Sequence, residues 1–163
     1  MQIVQCNKEQ LEIVRDLAYK IWPDTYGEIL SKEQLSYMLG NFYAIPSLEK
    51  QFNDGHVFLL VEEEGDFLGF AAYEVNCKEK GKTKLHKIYV LPDTQGKGIG
   101  KILLNEVKSR AKEANNDYLF LNVNKYNKAL YFYEKQGFEK IADEVIDIGN
   151  GYVMDDYIMG IEI

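Results

Sequence analysis

The sequence is poor in residues that cross-link or ligate. Its 163 residues include two cysteines, Cys6 and Cys77, and two histidines, His56 and His86. Two such cysteines make neither a disulfide framework nor a metal-binding spacing. The histidines lie far apart in the chain, so a zinc site is improbable and no metal is expected. No apolar run approaches the ~20 residues a membrane span needs. The N-terminal stretch Met1–Lys8 lacks the basic region and apolar segment of a signal peptide. These absences predict a cytoplasmic protein. No basic run offsets the formal net charge of −7, which argues against a nucleic-acid partner. The acidic balance mildly favours a cationic partner and equally serves solubility. With three prolines and no repeat, low-complexity tract or linker, the chain reads as one domain over residues 1–163, long enough to bury a core.

Hydrophobic periodicity divides the chain into alternating elements. Ile3 to Cys6 reads as a strand. Asn7 is an N-cap with Gln10 at the capping-box position, and Leu11, Val14, Leu17, Ala18 and Ile21 then repeat at helical spacing until Pro23, which is expected to end the helix. Ser31 caps a second helix with Leu35, Met38 and Leu39 on its buried stripe. Ser47 is expected to cap a third, short helix up to Asn53. His56–Glu63 and Asp66–Asn76 form a hairpin through Glu64-Gly65. Lys84–Leu91 is the next strand, Gly98–Ala114 a long helix and Tyr118–Val123 a strand. Lys125–Gln136 is a helix stopped at Gly137, and the last hairpin pairs Phe138–Ile148 with Tyr152–Ile163. The pattern predicts an α+β domain with a mixed, mostly antiparallel sheet.

The most informative segment is Leu85–Glu106. A β-branched strand ends at Pro92, and a helix with Ile99, Ile102, Leu103 and Val107 on one stripe opens from Gln95-Gly96-Lys97-Gly98-Ile99-Gly100. A strand that turns through glycines into a helix aims several N–H groups and the positive helix end at one spot, which suits phosphate. The dinucleotide fingerprint G-x-G-x-x-G and the P-loop spacing both miss here.

What does match is [Q/R]-x-x-G-x-[G/A], as Gln95, Gly98 and Gly100. A second block, Asn127-Lys-Ala-Leu-Tyr-Phe-Tyr133-Glu-Lys-Gln-Gly137-Phe138, comes after it in the right order. Together they resemble the two coenzyme-binding elements of the GNAT N-acetyltransferase superfamily, and the order of elements resembles the GNAT arrangement over the whole chain. The segment Trp22–Gly55 is its weakest match. The resemblance implies a GNAT-like central sheet flanked by helices on both faces, with acetyl-coenzyme A as co-substrate. It implies pyrophosphate held by N–H groups of Gln95, Gly96, Lys97, Gly98, Ile99, Gly100 and Lys101. The pantetheine arm would meet main-chain groups of Ile88, Tyr89 and Val90, with Asn127 and Lys135 as further coenzyme contacts. Tyr133 takes the position of the acid that protonates the leaving thiolate.

Deprotonation of the acceptor amine falls to His86. Strand alternation puts it on the face of Ile88 and Val90, and an ordinary imidazole titrates near ~6.5. Glu62, Glu74 and a neutral incoming amine are alternatives. The acceptor wall is expected from Trp22, Tyr26, Glu28 and Tyr37, aromatic faces and carboxylates suited to an organic cation. The layout is similar to bacterial spermidine/spermine-type acetyltransferases, which makes a polyamine-like small-molecule amine the leading acceptor and a protein or peptide amine the alternative. Two rivals keep the fold without turnover: an acyl-coenzyme A binding module and a protein-interaction module. Tyr152–Ile161 is a strand that could pair between subunits, which would make a homodimer.

Overall fold

In the computed structural model, which describes residues 1–94 and 96–163, the predicted strands assemble into one seven-stranded sheet. They are β1 (Gln2–Gln5), β2 (Val57–Glu63), β3 (Asp66–Glu74), β4 (Lys82–Val90), β5 (Tyr118–Asn124), β6 (Glu139–Gly149) and β7 (Tyr152–Glu162). Their order is β1-β2-β3-β4-β5-β7-β6. All neighbours are antiparallel except β4 and β5, which run parallel. The helices are α1 (Leu11–Tyr26), α2 (Lys32–Tyr43), α3 (Ile45–Asn53), α4 (Ile99–Glu113) and α5 (Ala129–Lys135). This is the mixed, mostly antiparallel α+β architecture the pattern predicted. No helix among the described residues is long and apolar enough to cross a membrane.

Period-two alternation gives the sheet two buried faces. Phe58, Leu60, Phe70 and Ala72 pack under α1, α2 and α3, with Leu11, Val14, Ala18, Met38 and Leu48. Leu59, Val61, Ala71 and Tyr73 face the other way, against Leu103, Leu104, Val107 and Tyr133 of α4 and α5. A central strand covered on both faces reads as a continuous apolar run, as Phe58–Val61 does.

Several boundaries differ from the sequence reading. Pro23 lies inside α1 rather than ending it. Its ring is on the exposed side of the helix, and the carbonyl it leaves without a donor, that of Tyr19, is on the turn before, where water is at hand. The chain turns out of the helix at Gly27, whose N–H reaches Pro23 O at 3.0 Å. α3 begins at Ile45 with Pro46 in its first turn, where a missing N–H costs nothing; Ser47 is therefore inside it. α5 starts at Ala129 because Asn124 Oδ1 accepts from Tyr126 N–H at 2.9 Å and holds the preceding residues in a turn. Within the C-terminal hairpin β7 is bonded to β5 on one side and β6 on the other, so the strand at the sheet edge is β6 and not Tyr152–Ile161.

The β3–β4 contact is tightest near the C-terminal end of β4. Gly69 is opposite Val90, and a Cβ there would come 2.7 Å from Tyr89 O and 3.2 Å from Val90 Cα. Both are backbone atoms and cannot swing aside. Gly69→Ala should therefore cost about 1–3 kcal/mol, read as a lower urea midpoint at unchanged slope; an unchanged midpoint would show that the strands part freely there.

Candidate active site

The site begins where the parallel ladder stops. β4 and β5 are in register only from Lys82–Leu85 against Tyr118–Leu121. Beyond that, β4 continues on β3 alone and β5 on β7 alone. The main-chain groups of β4 that would have bonded β5 open instead on a gap, and buried backbone groups need partners. A small cavity of about 40 Å³ sits in this gap, lined by Ile88 and Tyr89 on one side and by Asn122, Asn127 and Tyr133 on the other. It is continuous in its lining with a cleft of about 790 Å³ that also takes in Val90, Gly98, Gly100 and Lys101. Ile88, Tyr89 and Val90 thus border the gap and the cleft.

The glycine turn forms one end of the cleft, and its geometry suits an anion. Gly98 is the N-cap of α4 with φ +72°, a left-handed conformation that a Cβ disfavours. The first bond of the helix is Ile102 N–H to Gly98 O, 3.0 Å. The N–H groups of Ile99, Gly100 and Lys101 consequently have no helical partner and carry the positive end of the dipole. Gly96, Gly98, Ile99, Gly100 and Lys101 all line the cleft. Lys97 is exposed and is not among the lining residues. Gln95 lies outside the described residues.

Tyr133 lines both the cleft and the small cavity. It is 5% exposed and packed edge-on between Phe132 and Phe138 at centroid distances of 5.3 and 5.5 Å. Burial, with Tyr26 nearby, raises its pKa well above the ordinary phenol value, so the proton stays on at neutral pH. Tyr26 reaches the same cavity from α1, its hydroxyl 2.8 Å from that of Tyr89. Burial pushes its pKa up to about 12.

His86 departs from its expected place. The β3–β4 register jumps from Ala72↔Lys87 to Tyr73↔Leu85, which makes His86 the extra residue of a β-bulge. A bulge shifts the alternation by one. Leu85, Ile88 and Val90 pack on the α4 face, whereas the His86 ring lies on the opposite one. There Nε2 is 2.9 Å from Glu74 Oε1, and the ring stacks on His56, centroids 3.9 Å apart and planes 8° from parallel. Burial, the stacked His56 ring, Lys84 and Lys87 hold its pKa far below the ordinary imidazole value. His86 nonetheless remains among the residues that line the small cavity in the gap.

The expected acceptor wall is only partly there. Glu28 and Asp24 line the cleft, and Tyr26 reaches the cavity. Trp22 is instead a core residue, 4% exposed and packed in tilted and edge-on contacts with Tyr26, Tyr43 and Tyr89, because its position on α1 falls on the same stripe as Ala18. Tyr37 is a clamp: its hydroxyl donates to Ile148 O at 2.9 Å and its ring packs on Tyr152, fixing the β6–β7 hairpin to α2. Asn127 lines both cavities; its Oδ1 accepts from Ala129 N–H at 2.9 Å, and its side chain also interacts with Tyr26. Lys135 is exposed and off the lining, where Lys128 and Gln136 stand instead.

Asn122, which nothing in the motifs singles out, lines the small cavity and is tied to Asp156. Asn122 Nδ2 donates to Glu144 Oε1 at 2.9 Å and Asp156 Oδ2 at 3.3 Å. Asp156 is 5% exposed and burial raises its pKa. The acidic pair Asp155-Asp156 inside the otherwise apolar Tyr152–Ile161 run is the available signal.

Comparison with known proteins agrees with this geometry. The acetyltransferase (GNAT) domain family matches residues 28–154. The spermidine N(1)-acetyltransferase of Thermoplasma acidophilum is 27% identical over 161 residues, covering 95% of this chain and 96% of that protein. The ribosomal protein bS18-alanine N-acetyltransferase of Haemophilus influenzae is 30% identical over 99 residues, covering 61% of this chain and 66% of that one. The crystal structure of the PaiA N-acetyltransferase from Thermoplasma acidophilum in complex with coenzyme A superposes with a TM-score of 0.79 at 22% identity, over 99% of this chain and 98% of that one, which establishes the shared fold.

Gly100 gives a clean test of the glycine turn. A Cβ there meets nothing nearer than the Phe132 ring at 3.6 Å, so the fold tolerates a side chain. Gly100→Val should weaken coenzyme A binding at least tenfold, about 1.4 kcal/mol, with thermal stability near that of the parent. Calorimetry giving the parent affinity would move the pyrophosphate elsewhere.

Proposed function

The chain belongs to the GNAT acetyltransferase family, whose co-substrate is acetyl-coenzyme A, and from that footing we propose that it acetylates a primary amine of a small cationic molecule, polyamine-like, by direct attack. The observation that carries this reading is the placement of Tyr133, whose phenol borders both the long cleft and the gap between β4 and β5. Pyrophosphate rests on the N–H groups of Gly98 to Lys101, and the pantetheine arm runs along Ile88–Val90, completing the interrupted ladder. The amine nitrogen attacks the thioester carbonyl carbon and the C–S bond breaks. The departing thiolate takes the Tyr133 proton, which solvent replaces, and the amine's surplus proton leaves to water at the open end of the gap.

A cationic acceptor is supported by the carboxylates around the site. Asp24 and Glu28 line the cleft, and Asn122, at the gap, is bonded to Glu144 and Asp156. Similarity to the spermidine enzyme runs nearly end to end, whereas that to the alanine N-acetyltransferase covers 61% of this chain. An assay of free thiol released over a panel of amines tests the reading. Di- and polyamines should outpace peptides with an N-terminal alanine. Turnover with peptides alone would reassign the acceptor, and coenzyme binding without thiol release from any amine would leave a binding module.

Tyr133→Phe should lower the turnover number by about 100-fold or more while leaving coenzyme affinity and the melting temperature near the parent values, since the ring still fills its place. Because burial raises the phenol's pKa, the group stays protonated through its ordinary titration range. The parent rate should therefore show no alkaline fall up to about pH 10. Parent-like turnover in the variant would make Tyr133 a packing residue.

A further inference from the structure

The chain's two histidines, distant in sequence, come together beside one carboxylate. His56 enters from the segment between α3 and β2, Glu74 from the end of β3, and His86 from the β4 bulge. We propose that His56, Glu74 and His86 form a binding site for one divalent transition-metal ion, with Zn²⁺ the best match, outside the long cleft, whose lining holds none of the three, and reaching the small cavity in the gap through His86 alone.

The donor atoms are nearly in place. His86 Nε2 and His56 Nε2 lie 2.9 and 3.4 Å from Glu74 Oε1, and the three ligand atoms are all within 4.8 Å of one another. Tetrahedral zinc with bonds of ~2.0–2.1 Å sets its donors roughly 3.4 Å apart, so the observed separations bracket the required one. Two imidazoles and a carboxylate are the donor set of open zinc sites, which take water as the fourth ligand. Side-chain exposures of 16%, 27% and 18% leave a path for the ion and for that water. The stacked rings must tilt from parallel for their lone pairs to converge, a rotation of terminal torsions whose wells are broad. The ammonium groups of Lys84 and Lys87, which act on both imidazoles, oppose a dication. This sets the expected affinity in the micromolar range rather than that of a structural zinc site.

The test is titration of the chelator-treated full-length protein, without coenzyme, with Zn²⁺ and with Co²⁺. One ion per chain should bind with a dissociation constant on the order of micromolar, and Co²⁺ should give the intense visible absorption of a four-coordinate site. His56→Gln and Glu74→Gln should each weaken binding at least tenfold, with coenzyme A affinity kept at the parent value as proof of folding. Proton NMR of the parent protein supplies a measurement free of variants: with only two histidines in the chain, Zn²⁺ should shift both sets of ring signals together. Absence of saturable binding, parent-like affinity in His56→Gln, or ring signals that do not move would each overturn the site.

Discussion

The parting of β4 from β5 after Leu85 and Leu121 is the constraint on which the rest of the molecule depends. A sheet interior rarely gives up ladder hydrogen bonds, since an unmet buried amide costs about 1–3 kcal/mol. Here the loss is tolerated because each strand keeps its other neighbour, β3 for β4 and β7 for β5. Close approach at Gly69 holds β4 to β3. The unpaired edge of β4 is then a template for an extended, amide-bearing ligand. In the proposed reading, the glycine turn at its end receives that ligand's phosphates.

The apolar surroundings of the gap set its chemistry. Tyr26, Tyr43 and Tyr89 join Trp22 in one aromatic cluster, and Tyr133 is sealed between two phenylalanines. Burial raises the pKa of each of these phenols, because removing water penalises the phenolate. The result is a site rich in hydroxyl protons at neutral pH, as a departing thiolate requires. The same burial works in the opposite direction on cations and lowers the pKa of His86 and Lys87.

The bulge at His86 connects the two functional readings. One extra residue in β4 lets Ile88 and Val90 face α4 while His86 and Lys87 turn toward the helices α1 to α3, where Lys87 meets Gln51 at 2.9 Å and the Tyr43 ring. The same step that sets the phase of the strand bordering the cleft thereby delivers an imidazole to Glu74 and His56. Neither placement is available to a regular strand.

Local signals in the sequence determined the elements and the glycine turn at one end of the cleft. Capping at Asn7 and Ser31, the alternation in Phe58–Val61 and the Gly98–Gly100 turn act within a few residues, so their physics is complete in the chain itself. The same is true of Tyr133, carried by a short motif on a single helix. What only the tertiary structure decided involves residues distant in sequence. Strict alternation placed His86 on the wrong face, because a bulge is fixed by the register of the partner strand and not by the residues it contains. Trp22 and Tyr37 read as an acceptor wall, yet one is core and the other a clamp, because an aromatic's neighbours depend on which surfaces the helices cover. His56 and His86 looked unrelated for the same reason: their meeting is made by β2, β3 and β4 lying side by side, and nothing local to either residue encodes it.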